Sequence, residues 1–109
     1  MAKKGTGLLM VWGDVPQDRE EDFNRWYEEV HIPDILDAGG FHTAYRYESL
    51  DPAATKAKYL AIYETDNIDP ANAREKHAEE HTHWRERGRT SDLLDVTASL
   101  TGRRIWPMD

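Results

Sequence analysis

Residues 23–36 read FNRWYEEVHIPDIL. Phe23, Trp26, Tyr27 and Val30 recur at i, i+3, i+4 and i+7, the spacing that puts them on one buried stripe of an α-helix. His31 lies at i+4 from Tyr27 and continues the edge of that stripe, which places its imidazole half inside. Pro33 has no N–H to give the helix and disfavours helical backbone at Ile32. The sequence therefore predicts that the helix kinks or restarts there, freeing carbonyl groups near His31. An imidazole held at such a break is a candidate acid/base group. An equal reading makes His31 a cation that complements the dipole at a helix C-terminus.

Upstream, Leu8 to Trp12 is a continuous apolar run ended by Gly13-Asp14-Val15-Pro16, the pattern of a strand buried on both faces. Asp18 and Glu21 form a capping box, so the first helix is expected to start near Arg19. Downstream, Gly39-Gly40 ends this region. Phe41 to Tyr47 then alternates, with Phe41, Thr43, Tyr45 and Tyr47 on one face and His42, Ala44 and Arg46 on the other. A polar connection from Asp51 to Lys58 leads into a third strand, Tyr59 to Tyr63, antiparallel to the second. Asp69-Pro70 opens a second helix that runs to roughly Arg87, with Gly88 as its stop. From Leu93 to Leu100, Leu94, Val96, Ala98 and Leu100 alternate with Asp95, Thr97 and Ser99 as strand four, and Ile105-Trp106 forms an apolar tail.

With no linker, repeat or low-complexity tract, residues 1–109 are expected to form one domain. The order β-α-β-β-α-β is the split βαβ arrangement of an α+β ferredoxin-like sandwich, with two helices on one face of a four-stranded antiparallel sheet. The other face carries bulky residues too and would be an aggregation hazard if bare. A second copy packed sheet to sheet through a two-fold axis covers it. A homodimer in the form of a dimeric α+β barrel is thus expected, with the Ile105-Trp106 tail placed to clasp the neighbour.

Composition narrows the function. With 21 acidic against 14 basic residues the formal charge is −7, which opposes binding to nucleic acid or to an anionic membrane surface. There is no cysteine, hence no disulfide, thiolate metal site or cysteine nucleophile, which suits a reducing cytoplasm. The Leu8–Trp12 run is far too short for a signal sequence or a membrane span, so a cytoplasmic location is expected. Gly5-Thr6-Gly7 precedes the first strand rather than following it, so the dinucleotide-binding context is lacking.

Trp26-Tyr27-Glu28-Glu29-Val30-His31-Ile32-Pro33, then Gly40-Phe41 and Tyr45-Arg46-Tyr47, resembles the W-Y-x-x-x-H-x-P, P-G-F and R-Y pattern of small EthD-like dimeric α/β barrel proteins. The likeness covers the first half of the chain closely and the rest by topology; Gly39 stands where proline is common. That superfamily includes cofactor-free isomerases, dehydrochlorinases, polyketide cyclases and monooxygenases. The resemblance implies a pocket between the first helix and the sheet, with the helix-one histidine as acid/base.

Histidine suits that role because it exchanges a proton near neutrality without metal or cofactor. Arg46, on strand two, is the candidate clamp for a carboxylate or developing enolate; its alternative is a surface or dimer-contact arginine paired with Glu48 or Glu64. Tyr45, Tyr47, Tyr59 and Tyr63 offer hydroxyls on an apolar surface, and Trp12, Trp26 and Tyr27 could wall an aromatic ligand, although core packing is the usual task of such residues. On the second helix, His77 and His81 share a face with Arg74 and Trp84. Read literally, His77-Ala78-Glu79-Glu80-His81 matches the H-x-x-E-H zinc motif, but a third ligand is lacking and a helix this rich in charge generates such spacing easily. No metal and no cofactor is expected, and His81 or His77 becomes the second member of an acid/base pair. Two classes stay open: a cofactor-independent enzyme moving protons on a small aromatic, quinol, lactone or polyketide-like substrate, with a cofactor-free oxygenase as its variant, or a non-catalytic ligand-binding or dimerisation module.

Overall fold

The computed structural model describes residues 6–55, 57–67 and 69–107. The basic start, including Gly5 of the Gly5-Thr6-Gly7 run, lies outside the described residues. Strand β1 (Gly7–Asp14) leads through a 3₁₀ turn (Gln17–Arg19) into helix α1 (Glu20–Trp26), a π turn (Tyr27–His31) and helix α2 (Ile32–Asp37). Then come β2 (Thr43–Glu48), a single turn α3 (Pro52–Thr55), β3 (Tyr59–Thr65), α4 (Pro70–Glu86) and β4 (Asp95–Arg103). The four strands form one antiparallel sheet in the order β2-β3-β1-β4, the ferredoxin-like topology.

Cross-strand register separates the two faces. Paired residues point to the same side of a sheet. The rows Ala44-Tyr63-Leu9-Thr101 and Arg46-Ala61-Val11-Ser99 face the helices. The rows Tyr45-Ile62-Met10-Leu100 and Tyr47-Leu60-Trp12-Ala98 face away from them. Leu9, Phe23, Tyr27, Ile35, Phe41, Ala61, Tyr63, Ala73 and Trp84 form the core on the helical side. The strict alternation expected of strand four fails: a register shift between Trp12 and Gly13 leaves Val96 opposite Gly13, on the same side as Ser99, while Ala98 and Leu100 take the far face.

Helix boundaries depart from sequence rules where the backbone finds other partners. The Asp18–Glu21 capping box does not form; the Arg19 N–H bonds to the Pro16 carbonyl at 2.9 Å, and no side chain caps the turn. Asp69 does cap α4, accepting from the Ala71 N–H at 3.1 Å, with Pro70 in the first turn. Gly88, at φ +70°, ends it: the Arg89 N–H reaches the Trp84 carbonyl (2.8 Å) and the Gly88 N–H the Arg85 carbonyl (3.1 Å), the paired bonds of a Schellman cap. Gly40 lies so close to α4 that a Cβ there would overlap the Ala73 carbonyl oxygen. Among the described residues no helix is long and apolar enough to cross a membrane.

Candidate active site

The Pro33 break resolves differently from a kinked helix end. Pro33 cannot donate to the Glu29 carbonyl, and the chain absorbs the missing bond as one wide turn in which the Ile32 N–H reaches back five residues to Tyr27. Ile32 keeps helical dihedrals (φ −61°, ψ −48°) despite the following proline. The helical path therefore runs on to Asp37, and His31 is not at a helix C-terminus. That geometry removes the dipole-cap reading. The π turn instead keeps Phe23, Tyr27 and Ile35 on one buried side and points His31 inward with them.

There the imidazole is walled by rings. It stacks on Trp26 (centroids 4.6 Å, planes 21° apart), meets the edge of Tyr27 at 4.9 Å, and faces His77 at 6.1 Å and Trp84 at 6.5 Å. His77 in turn stacks on Trp84 at 5.2 Å, and His81 lies 6.4 Å from His77. Burial, reinforced by the His77 ring, pushes His31 down to about 4. Burial lowers His77 as well, and both rings are neutral at pH 7. A neutral imidazole is free to accept a proton, and its other nitrogen to donate one.

Beneath the rings, Tyr27 and Tyr63 share a buried hydrogen bond, with their hydroxyl oxygens 2.8 Å apart. Whichever hydroxyl donates, the acceptor keeps one O–H hydrogen to offer elsewhere. Burial raises both phenols above the usual tyrosine range, so they stay protonated. His31, His77, His81, Tyr27 and Tyr63 together line a cavity of about 220 Å³ between α4, the π turn and the sheet. Leu9, Val11 and Ile35 give it an apolar floor, and Leu94, Val96, Arg74 and Ser99 close the β4 side. An apolar space of ~150 Å³ holds benzene, so this one admits a single ring with substituents.

Not every candidate from the sequence converges here. Trp26 and Trp84 back the imidazoles. Arg46 faces the helices, but behind Tyr27: its guanidinium carbon lies 4.4 Å from the Tyr27 ring centroid, and its nitrogens donate to Asn24 Oδ1 (2.9 Å) and Glu28 Oε1 (3.2 Å). Its partners are thus Asn24 and Glu28, not Glu48 or Glu64. Tyr45 and Tyr47 stand on the opposite face of the sheet, 48% and 54% exposed, away from this cavity. Tyr59 bonds to Glu20 at 2.9 Å. Among the described residues no group of three or more His, Asp or Glu is placed to hold a metal, His77 and His81 included.

Two residues escaped the sequence reading. Asp34 takes Arg89 in a bidentate pair (2.7 and 2.9 Å), while the Arg89 carbonyl accepts the Trp26 indole N–H at 2.8 Å. The loop after α4 is thereby tied to the ring on which His31 stacks. Such long-range pairs leave no periodic trace; the available signal was Gly88, which fixes where Arg89 emerges.

The fold is shared by solved structures at low identity. A "putative monooxygenase" from Shewanella loihica PV-4 superposes with a TM-score of 0.61 at 17% identity, covering 95% of this chain and 98% of that one. A "putative antibiotic biosynthesis monooxygenase" from Bordetella bronchiseptica gives 0.60 at 15%, covering 94% and 99%. HapK from Hahella chejuensis gives 0.63 at 10%, covering 92% and 93%. No curated protein matches the sequence. The profile of the family described as Domain of unknown function (DUF4286) matches residues 7–88, from β1 to the Gly88 stop of α4, and the chain belongs to that family.

Proposed function

We propose that this protein is a cofactor-independent enzyme of EthD-like type, moving protons on a small aromatic, quinol, lactone or polyketide-like substrate. The observation that carries this reading is a half-buried, neutral His31 set against the Tyr27–Tyr63 hydroxyl pair in one ring-sized cavity. His31 takes the proton; the free hydrogen of the tyrosine pair steadies the oxyanion that forms; His81 or His77 returns a proton on the α4 side. Arg46 acts through Tyr27, over whose ring its guanidinium lies at 4.4 Å, holding that ring in place. With its conjugate acid near 4, His31 suits acidic C–H and O–H groups, those whose anions spread over a carbonyl or ring.

The outward rows of the sheet support the accompanying view of one domain that pairs with a second copy as an α+β barrel, the exposed Ile105-Trp106 tail reaching the neighbour; a cytoplasmic location belongs to the same reading. The names of two structural neighbours favour a variant in which the substrate carbanion itself reduces molecular oxygen.

Deuterium uptake from D₂O into a hydroxyquinol and a butenolide, followed by proton NMR, tests the reading. The protein is expected to accelerate exchange on at least one, and His31→Ala or His31→Gln to reduce that rate by about 10²–10⁴-fold with the fold intact. Undiminished exchange in both variants overturns the role of His31. Binding without exchange leaves a ligand-binding module.

A further inference from the structure

The arginine that reaches the cavity is not the one on strand two. Arg46 is held by Asn24 and Glu28, and Arg89 by Asp34, so both guanidinium groups already face carboxylates. Arg74 differs. It sits one turn before His77 on α4, and its Nη2 donates across to the neutral Ser99 hydroxyl on β4 at 3.3 Å. Among the described residues it pairs with no carboxylate, and none lines the cavity, in a chain whose formal charge is −7. A solvent-facing cation with no carboxylate partner, beside a neutral hydroxyl at the rim of an apolar space, is the arrangement that selects an anionic ligand.

We infer that the cavity takes a small organic acid, a single ring carrying a carboxylate that docks on Arg74 and Ser99. The ring then lies over Leu9, Val11 and Ile35, and a hydroxyl or carbonyl at its other end meets the Tyr27–Tyr63 pair beside His31. Here the acid/base reading supplies the reactive end; the carboxylate subsite supplies orientation. Two anchors fix which hydrogen His31 faces, which a purely apolar pocket would leave free to rotate.

4-Hydroxybenzoate and 4-hydroxybenzamide, matched in shape and different in charge, separate the possibilities. Calorimetric or NMR titration at pH 7 and low salt is expected to give about tenfold tighter binding of the benzoate. Arg74→Gln is expected to abolish that preference, Arg74→Lys to keep part of it, and added salt to shrink it. His31 and His77 ring signals should move on binding. Equal affinity for the two probes, a preference that survives Arg74→Gln, or no binding of either overturns the subsite. The catalytic reading fails separately. A charge preference without proton exchange on the enolisable probes keeps the subsite and removes the chemistry, whereas exchange without charge preference does the reverse.

Discussion

The hydroxyl oxygens of Tyr27, on the π turn, and Tyr63, on β3, lie 2.8 Å apart in a site where both rings are buried. Each phenol is hydrogen-bonded to the other, so removing one strands its mate. Tyr63→Phe is expected to cost about 1–3 kcal/mol, the penalty for an unsatisfied buried hydroxyl, and Tyr27→Phe the same. The double variant should cost less than the sum of the two, because no polar group is left alone. Urea denaturation of the four proteins measures the coupling; strict additivity would mean the bond contributes nothing.

Acid should weaken the fold through His31. Its ordinary value is 6.5 and its folded value about 4, so the unfolded chain binds more protons between these limits. The stabilisation is fully present above pH 6.5 and is lost as pH falls towards 4. At most it amounts to about 3 kcal/mol. His77 is shifted in the same direction and adds to the slope. Thermal melts from pH 7 to pH 4 are expected to fall less steeply for His31→Leu than for the parent. An unchanged slope would place a protonated His31 comfortably in the fold.

Local pattern made much of this fold legible. The Phe23–Tyr27 stripe, the Asp69-Pro70 start, the Gly88 stop and the alternation of β2 from Thr43 onward follow from short-range chemistry, and the order of elements gave the topology; Phe41, expected on the face of Tyr45 and Tyr47, instead precedes the strand and packs into the core against Tyr63. The bulge opposite Trp12 and Gly13 was not legible, since an extra residue in one strand shows only against its partner. Nor was the Pro33 outcome: sterics call for a break, but a π turn and the continued packing of Ile35 let the helix run on. His31, His77 and His81 were readable as candidates from helix faces. That Arg46 lies behind Tyr27, while Arg74 reaches the cavity, depends on how helix and sheet dock, which no single segment encodes.

Trp26 is held by the Arg89 carbonyl, and Arg89 by Asp34, so the stack on His31 depends on a loop 63 residues away. Arg89→Ala is expected to lower the melting temperature and shift Trp fluorescence to the red as the loop loosens. Arg89→Lys should rescue little, because an ammonium cannot reproduce the two-point contact. Hydrogen exchange at residues 87–90 and 26–31 should rise together in the alanine variant. Independent behaviour of the two segments would break the proposed link.

The sheet face turned from the helices is apolar across its width. The row Tyr45-Ile62-Met10-Leu100 crosses all four strands, and Tyr47-Leu60-Trp12-Ala98 runs beside it. Tyr45, Tyr47 and Leu100 are 45–54% exposed, an apolar surface in the middle of a sheet rather than scattered single residues. Burying such a face against a second copy removes it from water at roughly 25 cal/mol per Å², enough to hold a dimer at micromolar concentration if the contact reaches the usual ~800 Å² per partner. Ile62 sits centrally in that row, and its side chain points away from the cavity. Ile62→Lys is expected to halve the sedimenting mass while leaving the monomer folded, since a lysine on an open sheet face is solvated. Its effect on 4-hydroxybenzoate binding should be small, because every group lining the cavity lies on the other face. A parent protein that sediments as a monomer would remove the barrel, and an Ile62→Lys variant that remains a dimer would move the interface to another surface.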